Sequence, residues 1–227
     1  MLLSICLIMK TQIDHIVIGA ADLAQGVAYV RERLGVEVPF GGVHETMGTH
    51  NHLMQLGNNS FLEIIAVNPG GGPVGRPRWY GLDDPLVRQR ISVQPVLLAW
   101  VVNTTDINAL LLNAGISFGK ATFIRRDNLS WYFGLPGDGR LLAAGLLPYV
   151  IEWQTESHPA VNMADLGCRL LNLHIHHSRP EWVGDILKSI NARGLVTVHS
   201  LPENETPYLA ADIRTPSGVK TLKGIGA

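Results

Sequence analysis

The stretch HIVIGAADLAQGVAYVRERLGVEV, residues 15–38, decides the fold because the chain repeats it. HIHHSRPEWVGDILKSINARGLVTV, residues 174–198, aligns with it without a gap. His15 falls on His174, Asp22 on Glu181, Leu23 on Trp182 and Gly35 on Gly194. Each copy reads as strand, short loop, amphipathic helix, glycine stop and strand. Val27, Val30 and Leu34 recur at helical spacing, and Gly35 sits where a left-handed C-terminal cap belongs. A third copy, LLAWVVNTTDINALLLNAGISF at 97–118, lies between them, with Trp100 in place of His15 and Asp106 opening the helix. From its helix-opening acid to its glycine this copy is four residues shorter than the first. That is about one helical turn, so the buried face is kept.

Strands follow each helix. After the first come GGVHETMGT, HNHLMQLG and NSFLEIIAV, and after the middle one GKATFIRRD, LSWYFGLP and LPYVIEWQT. After the last come VTVHSLP and PYLAADIRTPSG, and the unit then runs out at VKTLKGIGA. Internal self-similarity of this kind predicts tandem modules. The expected organisation is an N-terminal extension at 1–10, a βαβββ module at 11–68 and a connecting loop at 69–92. A second βαβββ module at 93–160 and a partial βαββ module at 161–227 complete an α+β fold.

Composition narrows the function. The chain has 227 residues, 46% of them hydrophobic and 16% charged, and a formal net charge of -1 without a basic run. That argues against nucleic acid as a partner. The apolar start MLLSICLIMK is too short to span a bilayer, has no preceding positive charge and lacks a small-residue cleavage site. Met9 reads as a natural start and the residues before it as an extension. Every other apolar run is interrupted, so no membrane span is expected. Cys6 and Cys168 lie far apart without CxxC spacing, which fits a reducing cytosol and predicts a cytoplasmic protein. No P-loop, dinucleotide fingerprint or nucleophile elbow is present.

Two residues interrupt apolar strands: His15 in IDHIVIG and Glu63 in SFLEIIAV. Buried among apolar neighbours, such groups must be paired, hydrogen-bonded or bound to something. By alternation Phe61, Glu63 and Ile65 share one face of their strand. Glu152 in YVIEWQ repeats the pattern, its plainer reading being a buried ion pair with Arg125 or Arg126. His44, His50 and His52 form one histidine cluster, and His50 and His52 share a strand face that could chelate zinc. The plainer reading makes MGTHNH a turn, with Thr49 and Asn51 bonding the backbone. His174, His176 and His177 form a second cluster, read as structural or as an interface. The Gly/Pro-rich connection NPGGGPVGRPRWYGLDDP reads as a loop able to act as a lid, where Arg78 suits a carboxylate or phosphate and Trp79 an apolar group. Trp131 and Trp153 lie on strands of the second module and are candidates to line a pocket or pack a core.

A tandem βαβββ unit with a histidine on its first strand and a glutamate on its last resembles the vicinal oxygen chelate superfamily. More narrowly, IDHIVIGAADL, GGVHETMGTHNHLMQLGNNSFLEIIAVNP, RPRWYGLDDP and LPYVIEWQTESHP resemble the glyoxalase-like domain family. The resemblance implies that two modules face each other across a cleft and hold a divalent metal there. Carried onto this chain, the ligands are His15, Glu63 and Glu152, with Glu63 and Glu152 also as candidate catalytic groups. Trp100 falls on the fourth ligand position and cannot bind a metal. A remaining one-histidine, two-carboxylate set suits Fe, Mn, Ni or Zn. The substrate-binding candidates are His44, His50, Asn51, Arg78, Trp79, Trp100 and Trp131. The implied function is a metal-dependent lyase, isomerase or dioxygenase acting on a small oxygenated substrate, with a homodimer left open. The alternative is a non-catalytic protein of the bleomycin-resistance type that sequesters a small molecule.

Overall fold

The computed structural model describes residues 10–57 and 59–226. The extension before Met9 and Cys6 lie outside the described residues. The first unit is β1 (Gln12–Gly19), α1 (Leu23–Leu34), β2 (Phe40–His44), β3 (Thr49–Gly57) and β4 (Ser60–Val67). The second is β5 (Val96–Asn103), α3 (Ile107–Asn113), β6 (Lys120–Arg126), β7 (Leu129–Leu135) and β8 (Tyr149–Trp153). Between them the connection holds a helix, α2 (Pro85–Val93), that the glycines and prolines had hidden. Its signal was present in the sequence: Asp84 caps it by accepting from the Leu86 N–H at 2.8 Å, and Pro85 opens it.

Helix boundaries follow from local chemistry. Asp22 Oδ1 accepts from the Gln25 N–H at 2.8 Å, and Gly35 closes α1 at φ 73° with its N–H on the Arg31 carbonyl. Asp106 caps α3 through the Ala109 N–H at 2.9 Å. α1 lies tight on β4, since a Cβ on Gly26 would come within 2.4 Å of Ile64.

The two units form one sheet in the order β2-β3-β4-β1-β5-β8-β7-β6. β1 runs parallel to β4 and antiparallel to β5, so the two first strands sit side by side at its centre. The sheet curls until its ends meet: Arg126 on β6 reaches His44 on β2, with 3.0 Å between guanidinium and imidazole nitrogens. Curling puts one face of both units inside.

The third unit is β9 (Arg169–His177), α4 (Pro180–Ser189), β10 (Thr197–Ser200), β11 (Tyr208–Thr215) and β12 (Gly218–Lys223). It gains a strand where the sequence seemed to run out. Its order, β10-β9-β11-β12, also differs, because β10 returns directly beside β9. Gly194 is not its helix stop: α4 ends at Ser189, and Asn191 takes the left-handed conformation at φ 55°. Leu173, Ile175, Leu209, Ala211, Ile213 and Leu222 point inward from this sheet, and a single apolar core runs through all three units.

Candidate functional site

The inner face of the curled sheet encloses a cavity of about 30 Å³. That is room for about two waters or a few heavy atoms of a larger molecule. β1 contributes His15, β4 contributes Phe61 and Glu63, and β3 contributes Asn51 and Leu53. β6 adds Arg126, β7 Trp131 and Phe133, and β8 Ile151 and Trp153. His44, Trp79 and Tyr80 close one side, and Pro159 and Met163 another.

His15 is 4% exposed, and both its ring nitrogens are committed. Nδ1 lies 2.6 Å from Asp14 Oδ1. Nε2 faces the cavity, 3.3 Å from the Tyr80 hydroxyl and 3.7 Å from Glu63 Oε2. Adjacent strand residues normally point to opposite faces, so Asp14 should not reach the His15 ring. It does so because the pairing of β1 with β5 slips between Ile13 and His15, leaving Asp14 as a bulge residue. The adjacent polar pair in QIDHIV was the available signal.

Asp14 is fully buried and heavily bonded. Besides His15 it accepts from Trp153 Nε1 at 2.8 Å and Asn103 Nδ2 at 3.1 Å, and its Oδ2 is 2.8 Å from His158 Nε2. Burial by itself raises its pKa. The hydrogen bonds from His15 and His158, with their charge, outweigh burial and hold the carboxyl well below the usual range. A permanent carboxylate on Nδ1 keeps the Nδ1–H tautomer, which leaves Nε2 as the atom that exchanges protons.

Glu63 is 5% exposed, and Asn51 Nδ2 donates to its Oε1 at 2.7 Å. That bond fixes the carboxylate and leaves Oε2 toward His15. Tyr80 lies in the connection with φ 58°, a strained setting for a bulky residue. Ring contacts with Tyr149 and Phe133 hold it there, centroids 4.9 and 6.1 Å away. Burial, then the charge of Glu63, push the Tyr80 phenol well above its ordinary pKa, so it stays a donor.

His44 is buried and takes a defined role. Burial, then the neighbouring Arg126 and His15, lower its pKa from 6.5 to about 3. A neutral His44 donates from Nδ1 to Thr49 Oγ1 at 3.2 Å and accepts from Arg126 Nη1 on Nε2 at 3.0 Å. Arg126 also donates to Asn51 Oδ1 at 3.4 Å. Arg126, Asn51, Glu63, His15 and Asp14 thus form one polar line along the wall.

The expected residues divide cleanly. His15, Glu63, His44, Asn51, Trp79 and Trp131 meet in the cavity. Glu152 does not, contrary to the expected ligand set. Ile151 and Trp153 face inward, so the residue between them faces outward. Its Oε2 accepts the Ile107 N–H at 2.7 Å, at the start of α3, and its Oε1 accepts from Gln154 at 2.8 Å. It pairs with neither Arg125 nor Arg126. Trp100 is also corrected: it is fully buried in the core, its Nε1 donating to the Leu146 carbonyl at 3.0 Å. Since Asn51 and Leu53 face inward, His50 faces the other side of β3, and His52 binds the Val38 carbonyl at 2.6 Å. Arg78 pairs with Asp83 at 2.7 Å and reaches the Gly48 carbonyl, pinning the connection instead of facing the cavity. In the third unit His174 bridges His199, at 2.9 Å, and Asp212, at 3.1 Å, well away from this site. Asp14, Tyr80, Arg126 and His158 complete the site without having been singled out for it.

The donors do not make up the metal site the resemblance implies. Only His15 and Glu63 converge, Glu152 is turned away, and Glu63 Oε1 is taken by an amide. Among the described residues no group of three or more His, Cys, Asp or Glu side chains is placed to hold a metal ion. A one-histidine, one-carboxylate pair falls a ligand short of a facial triad.

A family model described as a glyoxalase-like domain matches residues 13–190. No curated protein matches the chain. Among solved structures, a hypothetical protein from Staphylococcus aureus superposes with a TM-score of 0.56 at 14% identity, covering 94% of this chain and 85% of that one. Methylmalonyl-CoA epimerase from Mycobacterium tuberculosis gives 0.41 at 15% identity, over 66% of this chain and 91% of its own. A mutant of 4-hydroxymandelate synthase from Streptomyces coelicolor gives 0.48 at 15%, over 94% and 62%. Among the described residues no helix is long and apolar enough to cross a membrane.

Proposed function

The chain belongs to the glyoxalase-like domain family, and on that premise we propose that it is an enzyme that moves a proton on a small oxygenated organic molecule bound in this cavity. The observation that carries the reading is the convergence of His15 Nε2 and Glu63 Oε2, 3.7 Å apart, each oriented by a partner on its far side. Asp14 fixes the His15 tautomer and Asn51 fixes the Glu63 carboxylate. One member of such a pair takes a proton from carbon beside a carbonyl, and its conjugate acid then returns a proton to the enolate so formed.

The surroundings support this chemistry. The Tyr80 hydroxyl stands 3.3 Å from Nε2 and remains protonated. A substrate oxygen placed against it receives that hydrogen bond as negative charge develops on the oxygen. Trp79, Trp131, Trp153 and Phe61 make the other walls apolar. They exclude water and strengthen each charge–charge contact inside. No step is routed through a metal, because the donors fall a ligand short.

The test is hydrogen exchange. Small ketones, 2-hydroxyketones and 2- and 3-oxo acids are incubated with the protein in D2O, and proton NMR follows loss of the C–H signal beside the carbonyl. The protein accelerates exchange of at least one compound. Glu63→Gln and His15→Gln, both close in size to the native residue, slow it about 10²–10⁴-fold. Compounds that perturb tryptophan fluorescence, yet exchange no faster with the wild type than with Glu63→Gln, would overturn the enzyme reading in favour of sequestration.

A further inference from the structure

We propose that the substrate carries a carboxylate, and that Arg126 is the group that binds it. The inference rests on the cavity being the substrate site and names the chemical class that site selects.

Arg126 is a cation whose charge is unanswered. Its recorded partners are His44 Nε2 at 3.0 Å and Asn51 Oδ1 at 3.4 Å, both uncharged acceptors. Among the described residues no carboxylate lies within ion-pair distance of it. Its Nε is buried and has no hydrogen-bond partner among the described residues. A guanidinium offers five N–H donors in a planar fork, and leaving part of that fork buried and unpaired is costly. On β2, Gly41 leaves room for the Asn51 amide that accepts from the cation, since a Cβ there would meet Asn51 and Leu53 at 2.6 Å, and Gly42 lies in ordinary contact range of the guanidinium. His44, beside it, is held neutral, so it adds no competing positive charge.

Position makes Arg126 a selector. It walls the inner cavity and also an outer hollow of about 350 Å³. Leu53, Leu129, Pro159 and Met163 wall both as well, so these residues form the neck between the two spaces. One side chain, Asn51, separates the cation from Glu63. A carboxylate on the fork therefore sets the adjoining few atoms of the same molecule against Glu63 and His15. The inner cavity limits that reacting end to a few heavy atoms, and the wider hollow, walled by both polar and apolar groups, takes any larger substituent. A planar monoanion matches a single planar cation. A phosphate dianion would need further donors, and among the described residues no second arginine or lysine lines either space.

The experiment uses the fluorescence of Trp79, Trp131 and Trp153 to titrate acetoacetate, pyruvate and phenylacetate. Each is compared with its uncharged amide and with inorganic phosphate. At least one acid gives a saturable change, and its amide binds about 10- to 100-fold more weakly, the weight of a charge-assisted hydrogen bond. Arg126→Gln abolishes the preference for acid over amide, whereas Arg126→Lys keeps the charge without the fork and retains part of it. Melting temperatures of both variants confirm that they fold. Absence of saturable binding by all three acids overturns the proposal. So does equal binding of acid and amide by the wild type, an unchanged preference in Arg126→Gln, or tighter binding of phosphate. Glu63→Gln separates this from the enzyme reading. It still binds the acid with its preference intact if Arg126 is the selector, whether or not the wild type catalyses exchange.

Discussion

Lowering the pH from 7 to 5 protonates His44 in the unfolded chain and leaves it neutral in the folded one. Its pKa falls from the ordinary 6.5 to about 3 on folding, through burial first and the charge of Arg126 second. The unfolded chain therefore binds more protons below 6.5. The stability His44 contributes is complete above that value and is lost as pH falls toward about 3. At pH 5 almost every unfolded copy is protonated and almost no folded one. The loss between pH 7 and pH 5 from this side chain alone is about 2 kcal/mol by proton linkage. That figure barely depends on the folded value, provided it stays below about 4. Urea denaturation at the two pH values measures the loss. His44→Gln is the control, because its amide oxygen still accepts from Arg126 but does not titrate. The wild type loses about 2 kcal/mol more than His44→Gln over this interval. An equal loss in the two proteins would show that His44 is protonated in the folded state, and would refute the neutral acceptor assigned to it beside Arg126.

Three further outcomes are expected. Gly26→Ala raises intrinsic helix propensity yet lowers stability by about 1–3 kcal/mol, because the new Cβ meets Ile64; thermal melting reads the sign. Glu152→Ala removes the acceptor at the start of α3 and costs about 1 kcal/mol, while fluorescence-detected binding and exchange stay at wild-type levels; loss of binding would return Glu152 to the site. Dialysis against EDTA leaves the exchange rate unchanged, and elemental analysis finds well under one divalent ion per chain; a rate restored only by an added metal would show that His15 and Glu63 recruit further ligands.

The sequence by itself determined the α+β class and most of the elements. Asp22, Gly35 and Asp106 are local signals whose chemistry acts within one helical turn, and each sits at or beside the expected helix end. The burial of His15 and Glu63 was legible because polar groups inside apolar runs must have partners. Which face of a strand lies inside was not always legible. Alternation divides a strand into two faces without saying which one curls inward, and this put Glu152 on the wrong side while leaving Glu63 on the right one. At Asp14 a bulge breaks the alternation, and that slip belongs to the pairing of β1 with β5. Tyr80 is held in a strained conformation by rings far away in sequence, and Arg126 meets His44 only because the two ends of the sheet come together. These are contacts between distant segments. Periodicity and capping report local free energies, and nothing local to Tyr80 or Arg126 distinguishes them from ordinary loop and strand residues. The tertiary structure alone turned two buried polar residues into a line of five, from Arg126 to Asp14.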